Sequence, residues 1–414
     1  MPLLPEEFIN YTAEIFGRGL WDLFLSSFDE PPQVSVRLNP WKSGAVNFPQ
    51  AEPVPWCQNG YWLKDRPNFT LDPLLHAGAY YVQEAGSMFL DNILRQYVKG
   101  PVCALDLCAA PGGKSTLMRA ALPEGSLLVS NETDGRRASI LKENLIKQGH
   151  SGVVITNNHA CDYKRAGIMF DVILTDVPCS GEGLFRRDLK TVGEWSVKNV
   201  LFCQKRQREI LKDIWPCLRG GGLLIYSTCT FNLHENEENI LWLTETFGAE
   251  ILPVDIKKEW NITGSLLKGW DKPVYRFIPG KTRSEGLFTA VLRKPENGGI
   301  CAAARPDLLH AKIKNLRDLY IIYDGNPAPL VKGKEVIPSV AQALSLPSAN
   351  KYPKAELALD TALKYLHREA IILPPEIPLG YVIVCYKGQP LGFVKNLGTR
   401  ANNLYPKEWA IKKL

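Results

Sequence analysis

The sequence predicts an α/β protein whose central part is a parallel sheet covered by helices on both faces. From about residue 100 onwards, short apolar segments alternate with segments of helical spacing. The apolar segments are nearly continuous, which is typical of strands buried on both faces. Small and polar residues gather directly after several of these strands. Because ligands in such sheets collect at the carboxyl ends of the strands, we expect the functional site there.

The chain has the composition of an ordinary globular protein. Its 414 residues suggest two or three domains, and 45% of them are hydrophobic and 22% charged. No apolar stretch approaches the roughly 20 residues that cross a bilayer, and the acidic sequence MPLLPEEFIN lacks the pattern of a secretion signal. The ten cysteines include no CxxC pair and no zinc spacing. We therefore expect a cytoplasmic protein with reduced thiols and no metal site.

Residues 1–95 are predicted to form a leading domain of short elements. The segment PEEFINYTAEIFG has helical spacing, and PQVSVRLNP is typical of a strand that ends at Pro40. A loop rich in tryptophan and proline follows, and after it the segment HAGAYYVQEAGSM.

Residues 96–295 carry the alternating pattern of the predicted parallel sheet. The predicted strands are PVCALDLC, GSLLVSNE, VVIT, FDVILTD and GGLLIYSTC. One predicted helix, RRASILKENLIKQG, ends at Gly149, a typical C-terminal cap. The other predicted helices are GKSTLMRAAL and KNVLFCQKRQREILKDIWPCL.

Residues 305–414, after a linker predicted at about 294–305, are expected to form a small β-rich module. Its predicted elements are the strands VIVCYKG and PLGFVKN and the helix KAELALDTALKYLHREA. Residues 301–414 hold 16 Lys and Arg against 9 Asp and Glu, within a net charge of +6 for the whole chain. This excess favours a polyanionic partner, most often nucleic acid. A solvated basic surface, or a dimerisation or scaffold domain, is the alternative.

The segment ALDLCAAPGGKST, which includes the first predicted strand, predicts a ligand-binding loop. It is not a Walker A motif, because Cys108 stands six residues before Lys114, where that motif needs glycine. What remains is a tight turn of small residues that lets a ligand approach the N–H groups of a helix N-terminus. Glu132, at the end of the next strand, is placed to accept hydrogen bonds from ribose hydroxyls. An adenosine cofactor without phosphates fits both features, which indicates S-adenosylmethionine; a simple packing turn is the alternative.

Two cysteines follow two further strands. Cys179 comes shortly after FDVILTD, which ends at Asp176, and Cys229 ends GGLLIYSTC. Both strand ends open onto one crevice, and a thiolate that adds to carbon 6 of cytosine makes carbon 5 nucleophilic enough to accept a methyl group. Asp176 is the obvious acid for ring nitrogen 3, provided that its pKa rises on burial or substrate binding. The residues alone do not show which thiol attacks, and the alternative for any one cysteine is a small buried hydrophobe.

The segments DLCAAPGGKS, SNE, DVPCSGEG and YSTCTFNLHENE, in this order and spacing, resemble the RNA cytosine-5 methyltransferases of the Nop/Sun family. Within that family they look most like the RsmF-like enzymes of small-subunit ribosomal RNA. The resemblance covers about residues 30–295, and the C-terminal sequence resembles a PUA-like RNA-binding module more loosely. It implies a class I, Rossmann-like S-adenosylmethionine-dependent methyltransferase core, with a small N-terminal α/β domain and a C-terminal β-rich PUA-like domain.

The resemblance also implies a role for each site residue. Cys229 would attack carbon 6, and Cys179 would assist release of the methylated RNA. Lys114 would face the active site, and Asp176 would lie between the cofactor and the base. The residues implied to bind the cofactor are Cys108, Ala109, Ala110, Pro111, Gly112, Gly113, Lys114, Glu132, Asp162 and Asp176.

One position departs from the family pattern. The family carries an aspartate just after the third strand, near the adenine, and His159 stands there in this chain. Asp162, three residues later, fills that role only if the loop curls back. A solvated loop acid is the alternative.

Further side chains are candidates for contact with RNA, because aromatic rings stack bases and cations neutralise phosphates. Ordinary packing tyrosines and a solvated helix face are the alternatives. Arg37 and Asn39 match a family signature for which the sequence suggests no chemistry. The other candidates are Tyr80, Tyr81, Gln83, Glu84 and Ser87, then Arg186 and Arg187, and finally Lys205, Arg206 and Arg208 on one predicted helix.

The sequence thus predicts an RNA cytosine-5 methyltransferase that uses S-adenosylmethionine. The expected partner is ribosomal RNA or the small ribosomal subunit, with no membrane or DNA partner and a monomeric state. The alternatives are a transfer RNA cytosine-5 methyltransferase and a non-catalytic RNA-binding factor in ribosome assembly. The intact set of Cys229, Cys179, Asp176 and Lys114 argues against the non-catalytic alternative.

Overall fold

The computed structural model describes residues 4–296, 306–314, 318–333, 335–346 and 351–413. Most of the linker predicted at 294–305 lies outside the described residues. In the described part of the chain, no helix is both long enough and apolar enough to cross a bilayer.

The leading region is a small antiparallel sheet with helices around it. The strand order is β2–β3–β1–β4. The segment PEEFINYTAEIFG is helical as its spacing predicts, and Gly17, with φ 68°, kinks the chain before a second helical stretch, in which Phe24 packs against Phe8. The elements are α1 (Glu6–Ser26), β1 (Val34–Leu38), β2 (Glu52–Pro53), β3 (Gly60–Leu63), α2 (Pro73–His76), β4 (Tyr80–Val82) and α3 (Phe89–Tyr97).

The central region is built on a nine-stranded sheet among the described residues. Its order is β10–β12–β9–β8–β5–β6–β7–β13, and β11 pairs with β12. The strands are β5 (Cys103–Asp106), β6 (Leu127–Asn131), β7 (Val153–Thr156), β8 (Phe170–Asp176), β9 (Leu218–Thr228), β10 (Glu250–Leu252), β11 (Tyr275–Phe277), β12 (Leu287–Arg293) and β13 (Ile321–Tyr323). The helices are α4 (Gly113–Ala121), α5 (Gly135–Gln148), α6 (Ala160–Arg165), α7 (Leu189–Glu194), α8 (Val197–Ile214), α9 (Glu237–Phe247) and α10 (Pro306–Lys314).

The five middle strands of this sheet, from β9 to β7, are parallel and buried on both faces. Every residue of β5, β6 and β7 is buried. Successive side chains point to opposite faces, so Ala104 packs in one hydrophobic core and its neighbour Leu105 in the other. The strands β12 and β13 pair antiparallel at the two sides. The predicted parallel sheet with two covered faces is therefore present.

The last region contains a second small sheet, of order β16–β17–β18–β19. The expected helix KAELALDTALKYLHREA is wrong in its first part, because Lys354–Glu356 forms a strand parallel to its neighbour β17. The elements are β14 (Leu330–Lys332), β15 (Glu335–Ile337), α11 (Val340–Leu344), β16 (Lys354–Glu356), α12 (Leu359–Leu366), β17 (Gly380–Tyr386), β18 (Gln389–Asn396) and β19 (Ala401–Asn403).

The three regions pack on one another through α5. Lys42 of the leading region is buried and donates a 2.6 Å hydrogen bond to the carbonyl of Lys147. The ammonium group of Lys147 lies 5.4 Å from the ring centre of Trp409, in the last region. The segment of α10 and β13 adds to the central sheet, so a boundary after residue 323 is as natural as one at 305. The divisions 1–95, 96–295 and 305–414 stay proposals.

Candidate active site

The candidate site lies where four neighbouring strands end. In the order β9–β8–β5–β6, the chain leaves β9 at Cys229, β8 towards Cys179, β5 at the small-residue loop and β6 at Glu132. Asp176 and Ser227 face each other across the β8–β9 pair. The alternation of strands and helices therefore brings segments more than 100 residues apart in sequence to one edge of the sheet.

The two thiols are adjacent. The sulfur atoms of Cys179 and Cys229 lie 3.2 Å apart, and both residues are half-buried. The pKa of Cys179 is raised well above its usual value, first by its hydrogen bond with Cys229 and then by burial and the nearby charges. Cys179 thus retains its proton and can donate it in a hydrogen bond to the sulfur of Cys229.

Lys114, Asp176 and Ser227 form a chain of hydrogen bonds beside the thiols. The ammonium of Lys114 lies 2.8 Å from Oδ2 of Asp176, and the hydroxyl of Ser227 donates to Oδ1 at 2.6 Å. Burial lowers the pKa of Lys114, but the charges of Asp176 and Cys229 outweigh it, so that its pKa is raised. Lys114 therefore stays charged next to the thiol of Cys229.

The small-residue loop between β5 and α4 is held from its outer side. The guanidinium of Arg137 donates to the carbonyl of Ala110 at 2.8 Å, and the amide of Asn144 donates to that of Pro111 at 2.8 Å. Gly112 has φ 114°, in the left-handed region that favours glycine, and α4 begins directly after it.

Two buried acceptor atoms at this edge lack a hydrogen-bond donor among the described residues. They are Oδ1 of Asp106, at the end of β5, and Oε2 of Glu132, just after β6. Oε2 of Glu132 is 3.3 Å from the guanidinium of Arg137, but it accepts no hydrogen bond from it. Burial raises the pKa of Asp106 to about 7. Since buried acceptors are normally satisfied, both atoms indicate a ligand with N–H or O–H groups.

The expected cofactor fits these atoms. A ribose hydroxyl and a methionine ammonium group are donors of the kind that the two orphaned carboxylate oxygens require. The residues of the loop are small, which leaves the helix N-terminus approachable.

Both carboxylate oxygens of Asp162 accept hydrogen bonds from residues close to it in sequence. It lies in the first turn of α6, where Oδ2 accepts from the N–H of His159 and Oδ1 accepts from Arg165, both at 2.9 Å. Its expected place near the adenine stays a prediction, and the structure gives it the role of a helix cap.

A network of buried polar side chains, which the sequence analysis did not single out, connects the two thiol loops. The residues that follow the cysteines, Ser180 and Thr230, share a hydrogen bond of 2.9 Å between their hydroxyls. Beneath them, the amide of Asn232 donates to Glu182 and to Glu235. Both carboxyl groups are at most 2% exposed.

Each carboxyl group of this network holds one thiol loop. Glu235 accepts the N–H of Ser180, next to Cys179, at 3.1 Å. Glu182 accepts the N–H of Phe231, close to Cys229, at 2.5 Å. Both acids stand in the quoted motifs GEG and HENE, but only the folded chain shows that they lie together. The network fixes the separation of the two thiols.

Several residues predicted to contact RNA have structural partners instead. Tyr80 is buried and its hydroxyl donates to Asp72, so packing accounts for it. Arg37 is buried and donates to the side chains of Gln83 and Thr116, which joins the leading sheet to α4. Asn39, Glu84 and Arg208 likewise bind groups of the protein. Tyr81, Arg187, Lys205 and Arg206 remain at least partly exposed.

Models of one protein family match most of the chain. Residues 99–293 match the model of the 16S rRNA methyltransferase RsmB/F. Residues 4–85 match the N-terminal domain of the 16S rRNA methyltransferase RsmF, and residues 350–411 match the RsmF PUA domain.

Similar proteins agree with these matches. A relative from Escherichia coli O7:K1, named ribosomal RNA small subunit methyltransferase F, is 28% identical over 98% of this chain and 96% of its own length. A relative of the same name from a Shewanella species is 28% identical over 99% and 97%.

Solved structures share the architecture. NSun6 from Pyrococcus horikoshii, solved with SFG, superposes with a TM-score of 0.60 at 20% identity, over 71% of this chain and 99% of that one. A methyltransferase homologue from the same organism gives 0.57 at 24% identity, over 70% and 100%. At these identities the structures show the fold alone. The predicted Rossmann-like core with an N-terminal and a C-terminal PUA-like domain is confirmed.

Proposed function

Because the chain belongs to the RsmB/F family of 16S rRNA methyltransferases, we propose that it methylates carbon 5 of a cytosine in small-subunit ribosomal RNA. In this proposal Cys229 forms a covalent bond to the cytosine during the reaction. The observation that carries the proposal is the pair of thiols 3.2 Å apart at the ends of two adjacent parallel strands. One thiol can form the bond while the other assists in breaking it.

S-adenosylmethionine, when bound, supplies a methyl group activated for transfer to a nucleophilic carbon. The residues that would hold it are those of the loop 108–114 together with Glu132, with Asp176 between it and the base. The orphaned Oε2 of Glu132 and Oδ1 of Asp106 supply the unfilled acceptors. Asp162 is a further candidate only if its bonds to His159 and Arg165 are exchanged.

Cys229 is the better nucleophile of the two cysteines. The raised pKa of Cys179, caused first by its hydrogen bond with Cys229, keeps its proton on sulfur. The sulfur of Cys229 can accept the hydrogen bond from Cys179, and the positive charge of Lys114 can stabilise the negative charge that an attacking sulfur carries. Attack of this thiolate on carbon 6 forms the carbon–sulfur bond and moves the ring electrons towards carbon 5 and nitrogen 3.

The Lys114–Asp176 pair serves the ring of the cytosine. In the free protein both oxygens of Asp176 accept hydrogen bonds, from Lys114 and from Ser227. To protonate ring nitrogen 3, Asp176 must first take a proton from solvent, and its hydrogen bonds with Lys114 and Ser227 hold the carboxyl group in place. Lys114 keeps its own proton and supplies charge next to Cys229.

Cys179 is positioned to undo the covalent bond. The main cause of its raised pKa is the hydrogen bond with Cys229, and this partner is consumed when Cys229 bonds to carbon 6. Once Cys179 has passed its own proton to solvent, its thiolate can take the proton from carbon 5. Loss of that proton restores the ring double bond as the bond from carbon 6 to the sulfur of Cys229 breaks.

The partners and setting follow from this function. We propose that the protein acts as a monomer on RNA rather than DNA, with the module of residues 305–414 binding RNA. The cysteines of the described residues are free, which suits a reducing cytoplasm. The substrate is either naked ribosomal RNA or the assembled small subunit.

Incorporation of labelled methyl groups tests the proposal. Purified protein is incubated with labelled S-adenosylmethionine and one RNA substrate in each reaction. The substrates are 16S rRNA, small ribosomal subunits and transfer RNA. We expect 5-methylcytosine in 16S rRNA or in small subunits. Label in transfer RNA alone would identify a transfer RNA enzyme, and no label in any RNA would leave only the non-catalytic alternative.

A further inference from the structure

A groove of about 810 Å³ runs between the leading sheet and the segment that follows Cys179. Its volume lies within the roughly 300–1,000 Å³ that is typical of ligand clefts. The lining includes Lys64, Asp65 and Arg66 from the end of β3, Gln83 from the end of β4, and Arg186 and Arg187.

The groove leads to the thiol site. Its lining residue Glu84 accepts the N–H of Ser87 at 2.8 Å, and Ser87 lines the small cavity that Lys114 and Ser227 also line. On the other wall, the segment before Arg186 bonds directly to the nucleophile, since the N–H of Gly183 donates to the carbonyl of Cys229 at 2.8 Å. Both walls of the groove are therefore hydrogen-bonded to residues next to the thiol site.

The two adjacent arginines of the groove differ in their surroundings. Arg186 is 7% exposed and donates to both carboxylate oxygens of Glu285 at 2.8 Å, so its charge is neutralised within the protein. Arg187 is exposed, and within the described part of the chain it forms no ion pair. Only Arg187 of the two is available to a ligand.

The opposite wall offers two more cations. Lys64 has the side-chain amide oxygen of Gln50 as a distant partner, at 3.4 Å, and Arg66 lies over the ring of Phe69. Among the acids of the lining, Glu84 is fully engaged by the N–H groups of its neighbours and of Glu285. The carboxylates of Asp65 and Glu84 oppose three available cations, so the lining keeps an excess of positive charge and attracts a polyanion.

We propose that this groove binds the single strand of RNA next to the target cytosine, with backbone phosphates held by Lys64, Arg66 and Arg187. The inference rests on the proposed function and adds the path of the substrate. Contacts of this kind position a strand without selecting its sequence. In the same account Arg186 is a structural residue that fixes the segment after Cys179 to Glu285.

Salt dependence of RNA binding tests the groove. The full-length variants are Arg187→Ala and the double variant Lys64→Ala with Arg66→Ala. The matched control is Lys212→Ala, an exposed cation in the last turn of α8, at the sheet edge opposite to the strand ends. Affinity for a single-stranded oligonucleotide of 16S rRNA sequence is measured from about 50 to about 300 mM salt, since each lost phosphate contact reduces the salt slope by about 0.7.

For Arg187→Ala we expect the slope to become shallower by about 0.7 and the double variant to lose about twice that. The dissociation constant should rise about 1.4-fold to fivefold per contact near 0.1 M salt, as for an exposed charge pair. Lys212→Ala should match the unsubstituted protein, and the KM of Arg187→Ala for RNA should rise together with its dissociation constant.

An unchanged salt slope for Arg187→Ala, or an equal change for Lys212→Ala, would contradict the proposal that RNA binds in the groove. Methylation by the unsubstituted protein is measured in the same preparations, so this result is distinct from a failure of the proposed function. If the unsubstituted protein methylates RNA but the slopes are equal, only the groove is wrong. If it methylates no RNA, the proposed function is wrong whatever the slopes are. Thermal unfolding confirms that each variant is folded.

Discussion

The thiol loops and the cofactor crevice lie at the same edge of the sheet but treat their buried acids in opposite ways. Around the cysteines, Glu182 and Glu235 receive hydrogen bonds on every carboxylate oxygen. At the crevice, Asp106 and Glu132 each keep one buried oxygen without a donor among the described residues. The protein completes its own bonds where two groups must hold a fixed separation. It leaves acceptors open where a ligand arrives and departs.

The largest expected effect is a loss of stability when Glu182, in the network around the cysteines, is replaced. Glu182→Ala removes the acceptor of several buried donors: the indole N–H of Trp195, the backbone N–H groups of Phe231 and Asn232, the side-chain amide of Asn232 and the hydroxyl of Ser180. We expect the free energy of unfolding to fall by about 3 to 4 kcal/mol, measured by urea unfolding. Glu182→Gln, which retains an acceptor oxygen, is the control and should lose less. Equal, small losses for both variants would show that the network does not stabilise the loops.

Glu132, at the cofactor crevice, should give the reverse pattern, with a large effect on ligand binding and a small effect on stability. Glu132→Ala should weaken S-adenosylmethionine binding about tenfold to a hundredfold, because a charged acceptor of the ribose is lost. Its free energy of unfolding should change by much less than that of Glu182→Ala, since only Oε1 accepts hydrogen bonds, from the hydroxyl of Thr133 and the N–H of Asp134. Calorimetric titration and urea unfolding measure the two quantities. Unchanged affinity, or a stability loss as large as that of Glu182→Ala, would remove the contrast between the regions.

The third effect is a dependence of stability on pH. Burial, and then the neighbouring Glu182, raise the pKa of Glu235 from 4.5 to about 7. An acid whose pKa is higher in the folded state stabilises the fold in its protonated form. That contribution is complete below pH 4.5 and is lost as pH rises through about 7.

Glu235→Gln, which stays neutral, removes this dependence. We expect the free energy of unfolding of the unsubstituted protein to fall relative to that of the variant between about pH 5 and about pH 8. The fall per pH unit should not exceed the value for one titrating proton. Urea unfolding at several pH values measures it. Parallel curves for the two proteins would show that Glu235 does not carry the proton.

The sequence predicted most of the helices and strands, and it predicted that the site residues lie together at the carboxyl ends of the strands. Strands β7 and β8 coincide with the segments VVIT and FDVILTD, because continuous apolar runs have few other solutions in an α/β protein. The segment Lys354–Glu356 was missed, because Lys, Ala and Glu favour helix by themselves. Its pairing with β17 is a tertiary contact that overrides this preference.

The sequence did not show which groups the charged side chains contact. Arg186 and Arg187 are neighbours of the same type, and only the approach of Glu285, 99 residues later, makes one structural and leaves the other free. The same holds for Glu182 and Glu235, whose contact depends on how two loops meet. Motifs show which residues lie at a site, whereas hydrogen-bond partners decide what each of them can do.

The central claim is that Cys229 makes the covalent bond to cytosine and that Cys179 breaks it. The most direct test incubates Cys179→Ala and Cys229→Ala with S-adenosylmethionine and 16S rRNA, and separates the products on a denaturing gel. We expect Cys179→Ala to appear as a slow protein–RNA band, because its adduct cannot be released. Cys229→Ala should show no such band and no methylation. If Cys229→Ala instead gave the trapped band and Cys179→Ala gave none, the two roles would be reversed.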